Sequence, residues 1–70
     1  MVRREDFERM NAQEVRRLAS AEGGVQRGKG LYFQRPWQQV LDEMEDAGVR
    51  TVGGLNAARV RTLYEGVSGA

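Results

Sequence analysis

The sequence predicts a small all-α domain, or one that is nearly so, with three helices over residues 12–22, 36–47 and 56–65. Apolar residues recur at helical spacing in each of these segments. Each segment is also bounded by residue types that begin and end helices. A chain of 70 residues has room for one hydrophobic core. Residues 1–70 are therefore expected to form a single small helical domain.

The first predicted helix begins at the clearest capping signal in the chain. Asn11 is a favoured N-cap residue, and Glu14, three residues later, has the spacing of a capping box. Gly23 is typical of the residue that follows a helix end. Upstream of this helix, residues 3–9 are expected to form a short extra helix that packs Phe7 inward.

A glycine-rich segment separates the first two predicted helices. Four glycines within residues 23–30 oppose helix formation. The apolar and aromatic residues 31–33 favour extended structure. Two interpretations stay open for this segment. One is a mobile loop that ends in an extended arm, and the other is a short β-hairpin that turns at residues 27–30.

The other two predicted helices are bounded by equally local signals. Pro36 suits the first position of the second helix, and Gly48 is a natural stop. The third helix is expected to begin at the N-cap residue Asn56 and to end at Gly66. Residues 67–70 are then expected to form a tail.

The predicted core collects the apolar residues that share one face of these segments. Trp37 should be its anchor, because it leads the apolar stripe of the most regular helix. The full predicted set is Phe7, Met10, Val15, Leu18, Phe33, Trp37, Val40, Leu41, Met44, Val60 and Leu63.

The composition argues against catalysis and against a metal site. The chain has no histidine and no cysteine, so the commonest general base and the commonest nucleophiles are missing. A zinc site would have to use carboxylates in place of the usual nitrogen and sulfur ligands. We therefore expect a protein that is not an enzyme, holds no metal or cofactor and takes no small-molecule substrate.

The same composition bears on where the protein works. No apolar run approaches the roughly 18 residues of a membrane helix. The first residues carry mixed charge and lead into no apolar stretch of the kind that a secretory signal has. The absence of cysteine fits a reducing compartment. We expect a cytoplasmic protein that has no membrane partner.

Charge is segregated along the chain, although the net charge is only +1. Residues 23–35 carry three bases and no acid, whereas residues 36–47 carry four acids and no base. A net charge this small argues against a protein that coats nucleic acid by bulk charge. The segregation nevertheless favours a local basic patch and a local acidic patch.

The first functional hypothesis is a small regulatory protein that binds nucleic acid, typically DNA, or a protein of the transcription machinery. Glycines allow a basic loop to approach phosphates closely, and neighbouring aromatic rings suit base stacking. The predicted nucleic-acid-binding residues are Arg27, Lys29, Tyr32, Arg35, Arg50, Arg59 and Arg61.

The alternative is a protein–protein adaptor or inhibitor that uses the acidic face of the second helix or exposed aromatic residues. Acids near a helix C-terminus oppose the helix dipole, so such a cluster is interpreted either as an ordinary solvated polar face or as a surface with a use beyond helix stability. The predicted protein-binding residues are Asp42, Glu43, Glu45 and Asp46. Because the chain carries opposite patches, a homo-oligomer also stays open as an interpretation.

Two stretches resemble parts of nucleic-acid-binding families. Residues 50–54, followed by a helix, resemble the wing and following helix of MerR-type and excisionase-type winged helices, without the basic residues that usually follow the paired glycines. Residues 14–18, with Gly23, Lys29 and a later helix, resemble the helix–loop–helix of SAP-type modules, with a longer loop. Both resemblances imply contact with nucleic acid.

Overall fold

The computed structural model describes the backbone of residues 2–23, 25–27 and 30–69, and the side chains of residues 2–23 and 33–69. Over these residues the protein is a small all-α domain, as the sequence predicts. Its helices are α1 (Arg4–Arg9), α2 (Ala12–Ala21), α3 (Arg35–Ala47) and α4 (Ala57–Ser68). Two three-residue strands, β1 (Val25–Arg27) and β2 (Gly30–Tyr32), lie between α2 and α3, and a 3-10 turn (Val52–Gly54) precedes α4.

The short helix α1 contributes one buried side chain to the core, while its other residues are exposed or partly buried. Its Phe7 side chain is fully buried. The Phe7 ring meets Trp37 of α3 edge-on, with ring centroids 6.4 Å apart, and meets Tyr64 of α4 at 5.6 Å. The Tyr64 hydroxyl donates to the carbonyl oxygen of Val2 at 3.0 Å, which holds the chain ahead of α1 in place. One buried ring thereby joins three helices.

The capping box predicted at the start of α2 is confirmed. The Glu14 backbone N–H donates to Asn11 Oδ1 at 2.9 Å, and the Asn11 backbone N–H donates to Glu14 Oε1 at 3.3 Å. Each bond satisfies an amide that has no partner inside the helix. The helix ends at Ala21, and Gly23 follows with φ of +115°, a value that an L side chain rarely adopts.

The strands between α2 and α3 pair antiparallel, with Val25 opposite Tyr32 and Arg27 opposite Gly30. Residues 28 and 29, between the strands, lie outside the described residues. Gln34 Nε2 donates to the carbonyl oxygen of Glu22 at 2.9 Å and so joins the end of α2 to the start of α3.

Helices α2 and α3 lie side by side and run in opposite directions. The bond from Gln34 to Glu22 joins them at one end. At the other end, Asn11 forms an isolated antiparallel bridge with Thr51, which follows α3. The Val52 N–H also donates to the carbonyl oxygen of Met10 at 3.0 Å, so this end is fixed by the backbone.

The end of α3 follows the predicted stop signal. Gly48 adopts φ of +66°, and its N–H donates to the Glu45 carbonyl at 3.1 Å. The Val49 N–H donates to the Met44 carbonyl at 3.2 Å, which completes a Schellman motif. The helix begins at Arg35, one residue ahead of Pro36. Pro36 is tolerated there because the N–H groups of the first turn have no partner inside the helix.

The predicted end of the third helix at Gly66 is wrong, because α4 continues to Ser68. Val67, placed in a tail by the sequence prediction, is only 9% exposed and joins Val60 and Leu63 in the core. Glycine inside a helix costs about 1 kcal/mol relative to alanine. Burying a valine contributes about 1.5 kcal/mol or more. Burial therefore outweighs the local signal to stop.

The core matches most of the predicted set, including Trp37, which is 3% exposed. Leu18 and Phe33, both predicted to be core residues, are only partly buried against its edge. The buried residues of α2 are Val15 and Ala19, which are one helical turn apart and define the face that packs on the core. Leu18 projects to one side of this face and is therefore only partly covered. The buried apolar residues are Phe7, Met10, Val15, Ala19, Trp37, Val40, Leu41, Met44, Val52, Val60, Leu63 and Val67.

The turn before α4 explains its paired glycines. A Cβ on Gly53 would lie 2.9 Å from the Glu8 carbonyl oxygen, and a Cβ on Gly54 would lie 2.7 Å from Cβ of Val49. Both glycines are thus needed because the backbone of the turn approaches Glu8 and Val49 closely. This close packing accompanies the full burial of Val52. The winged-helix resemblance is wrong on this point, because the structure has a 3-10 turn where it implied a wing.

The helices also bear on membrane insertion. Across the described ranges, no helix has the length and apolar character needed to cross a membrane.

Alanine substitutions at Gly66 and Gly48 distinguish the effect of helix propensity on stability from the effect of backbone strain. At Gly66 a new Cβ would meet only Pro36 Cβ at 3.8 Å, an ordinary contact, so Gly66→Ala should stabilise the fold by about 0.5–1 kcal/mol. At Gly48 there is open space but φ is positive, so Gly48→Ala should destabilise by about 1 kcal/mol. Urea denaturation measures both changes. Equal effects of the two substitutions would contradict the helical path through Gly66.

Candidate functional site

A groove of about 530 Å³ runs between α2 and α3. The two antiparallel helices are joined at both ends. The side chains between them are either short or buried in the core, so they leave the space between the helices unfilled. Ala12 contributes only a methyl group on the α2 side, and Leu41 is 8% exposed on the α3 side. The apolar residues that line the groove are Ala12, Phe33, Leu41, Met44 and Val49.

The ends of the groove carry apolar side chains that the core does not fully cover. Phe33 precedes α3, and Val49 follows it. Both side chains are half-buried and pack against the core from outside. Because α3 has 13 residues, its axis is about 20 Å long at about 1.5 Å per residue. The groove is therefore long enough for about three turns of another helix.

The walls of the groove carry opposite charges. Arg16, one helical turn after Ala12, lines the α2 wall, and Asp42 and Glu45 line the α3 wall. Gln38 Nε2 donates to Asp42 Oδ1 at 3.0 Å and orients that carboxylate. Among the described side chains, the ion pairs involve other residues, so these three charges remain available to a partner.

An ion pair fixes α3 against α4 on another side of α3. Arg59 Nε donates to Glu43 Oε1 at 2.6 Å, and the Arg59 Nη2 group donates to the second carboxylate oxygen. Gln39 Nε2 adds a bond to the same oxygen at 3.2 Å. The hydrogen bonds from Arg59 lower the pKa of Glu43 below its ordinary value, although partial desolvation opposes this. The same bonds raise the pKa of Arg59.

This pairing brings together two residues that the sequence assigned to different surfaces. Arg59 was predicted to bind nucleic acid, and Glu43 was predicted to bind protein. In the structure each satisfies the other, so neither contributes a full charge to a partner site. Of the other predicted acids, Asp42 and Glu45 line the groove, and the exposed Asp46 does not.

The remaining predicted bases lie on separate elements. Arg35 begins α3, Arg50 follows its far end, and Arg61 is on α4; all three are exposed. The length of α3, about 20 Å, separates Arg35 from Arg50. The structure therefore does not gather these two bases into one patch.

The other predicted nucleic-acid-binding residues are in the segment between α2 and α3. Arg27 lies in β1 and Tyr32 in β2, but their side chains are outside the described part of the chain. Lys29 lies outside the described residues altogether.

Sequence reasoning missed most of the groove. Arg16, Ala12 and Val49 are not among the predicted site residues, and Leu41 and Phe33 were assigned to the core. The available signal was weak: apolar residues stand just outside both ends of α3, at Phe33 and Val49. Only the antiparallel packing of α2 on α3 shows that these residues border one concave surface.

A smaller cleft of about 180 Å³ lies between the start of α3 and the second half of α4. It is lined by Arg35, Pro36, Gln39, Thr62, Leu63 and Gly66. Arg35 is the one charged residue in this lining, and the Thr62 hydroxyl already donates to the Ala58 carbonyl at 3.0 Å. The cleft therefore offers less chemistry than the groove.

Metal ligands and similarity to known proteins complete the description of the site. In the part of the chain whose side chains are described, no three His, Cys, Asp or Glu residues are grouped to hold a metal ion. No protein-family model, no curated protein and no solved structure matches this chain. The function is therefore inferred from the geometry of the groove and its charges.

The Glu43–Arg59 pair makes stability depend on pH in a defined direction. Since the folded-state pKa of Glu43 is lowered from 4.5, its stabilising effect is present above pH 4.5 and is lost as pH falls through the folded-state pKa. The stability difference between wild type and Glu43→Gln should therefore be larger near neutral pH than near about pH 3.

Thermal unfolding across this range measures the difference. Glu65→Gln, which removes an exposed carboxylate on α4, is the control for the loss of one negative charge. A Glu43→Gln difference that stays constant with pH would contradict the pairing.

Proposed function

We propose that this chain is a small, non-catalytic protein-binding module whose α2/α3 groove takes an apolar segment of a partner protein. The observation that carries this proposal is the groove itself, in which the apolar side chains of Phe33 and Val49 stand beside charged side chains between two joined helices. This develops the adaptor or inhibitor interpretation of the sequence and moves its site from the acidic face alone to the groove.

The make-up of the groove supports a protein ligand. Protein interfaces commonly have an apolar centre surrounded by a polar rim, and aromatic side chains often anchor them. Here Phe33 and Val49 are partly exposed at the two ends, and Leu41 lies between them at the bottom of the groove. Covering these side chains removes apolar surface from water, which is the main favourable term in association.

Helix packing supports the same ligand class. An amphipathic helix binds by laying its apolar face into a groove, with anchors about three or four residues apart. Two antiparallel helices present such a groove to a third, as in helical bundles. On this side of α2 and α3 the place of a third helix is open in the described part of the chain.

The charges near the groove favour a polypeptide over nucleic acid. Asp42 and Glu45 on the α3 wall would repel phosphates, and Arg59 is already bound to Glu43. The exposed bases Arg35 and Arg50 are too far apart to follow one short stretch of backbone together.

Nucleic-acid binding, including a role as a DNA-binding transcription regulator, is the second candidate function. It is supported by the three bases without an acid in residues 23–35, which would act together with Arg61. We also propose a cytoplasmic location, which the absence of cysteine supports. A nucleic acid ligand would bind independently of the groove, so blocking the groove distinguishes the two functions.

The chain offers a matched pair of substitutions for this test. Ala12 and Ala57 each occupy the first position of a helix behind an asparagine cap, but only Ala12 lines the groove. Peptides selected from a random displayed library against wild type should bind Ala12→Arg at least about tenfold more weakly, because the new side chain fills the groove. The same peptides should bind Ala57→Arg as they bind wild type, and calorimetric titration measures all three affinities.

Two results would contradict the proposal. In one, the selected peptides bind both variants equally, so the groove is not their site. In the other, selection yields no binder, and an oligonucleotide binds wild type with an affinity that falls steeply with salt. The second result would favour the nucleic-acid function.

A further inference from the structure

We infer that the partner segment is an amphipathic helix with basic residues on one flank of its apolar stripe and acidic residues on the other, and that the groove fixes the direction in which this helix lies. This inference rests on the proposed function and adds the chemistry and orientation of the ligand. It follows from three charged side chains on opposite walls.

The two walls differ in sign. On the α2 wall, Arg16 is exposed and has no carboxylate partner among the described residues. On the α3 wall, Asp42 and Glu45 are exposed, one helical turn apart, and also outside the ion pairs of the described residues. A helix seated between the walls therefore meets a base on one side and two acids on the other.

Complementarity then sets the flanks of the ligand. Lysine or arginine on the flank that faces α3 pairs with Asp42 and Glu45, and an acid on the opposite flank pairs with Arg16. These contacts lie beside the apolar side chains that line the groove, and a bound helix would exclude water from them. Charge pairs in such surroundings interact more strongly than they do on an open surface. Like charges in the same places would oppose binding.

The same arrangement selects a direction. Turning a bound helix end over end while its apolar stripe still faces the floor exchanges its two flanks. Only one of the two directions places the basic flank against α3. The ends of the groove are distinct, because Phe33 marks one and Val49 marks the other, about 20 Å away. The direction can therefore be measured.

The probe is a synthetic helical peptide of about three turns with leucines in the stripe, lysines on one flank and glutamates on the other. Its flanks are arranged so that the lysines face α3 only when its N-terminus lies at the Phe33 end. A nitroxide label at the peptide C-terminus broadens nearby amide signals of the protein. With wild-type protein, we expect broadening at Gly48 and Val49 and little at Phe33.

Reversing the walls should reverse the peptide. In the triple variant Arg16→Glu, Asp42→Lys and Glu45→Lys, the same label should broaden Phe33 in place of Val49. A matched control exchanges charges of both signs outside the groove, with Arg61→Glu and Glu65→Lys on α4, and should keep the wild-type direction. If the triple variant does not fold, the exposed single change Arg16→Glu should still reduce the preference for one direction.

Affinity gives a second readout. A peptide with the same leucine stripe but glutamates on both flanks should bind wild type at least about tenfold more weakly than the probe, because its acids face Asp42 and Glu45. Calorimetric titration at low salt measures the difference.

The possible outcomes distinguish this inference from the proposed function. Equal broadening at both ends, an unchanged direction in the triple variant, or equal affinity for the all-glutamate peptide would overturn the inference. The proposed function would survive these results if library peptides still lose affinity for Ala12→Arg. Dimerisation of the protein that Ala12→Arg abolishes would assign the groove to a second copy of the chain and would also overturn the inference.

Discussion

The Phe7 ring is fully buried where α1, α3 and α4 meet, and the rest of the fold depends on this contact. It packs edge-on against Trp37 and at a tilt against Tyr64, so a six-residue helix closes the core. A domain of 70 residues buries only about 60% of its unfolded surface, so one large buried side chain carries a sizeable share of its stability. Phe7 packs against the side of α3 that carries Trp37. Helix α2 and the groove lie against another part of the α3 surface.

Local signals predicted the helix boundaries well, because capping depends on neighbours within a few residues. Asn11 and Asn56 each accept a hydrogen bond from the third residue of the helix that follows, and Gly48 takes the left-handed conformation expected of it. The prediction that the last helix ends at Gly66 is wrong because that end depends on tertiary contacts and not on neighbours in sequence. Whether a glycine ends a helix depends on what the residues after it bury, and here Val67 enters the core.

The candidate site was harder to predict because it depends on contacts between residues far apart in sequence. The sequence shows charged patches, but the partner that Arg59 finds, Glu43, lies 16 residues away on another helix. The groove likewise forms only when α2 and α3 pack antiparallel, which brings Ala12 opposite Val49. Composition and spacing predict where charges are plentiful, and tertiary packing decides which of them face a partner.

The most direct test of the central role of Phe7 compares two matched substitutions by denaturant unfolding. Phe7 is fully buried, whereas Phe33 is only partly buried at the end of the groove. Phe7→Leu should lower the free energy of unfolding by at least about 1 kcal/mol, as expected for a shape change in a closely packed core. Phe33→Leu should change it by about 0.5 kcal/mol or less. A loss at Phe7 no larger than the loss at Phe33 would contradict the claim that this ring holds the helices together.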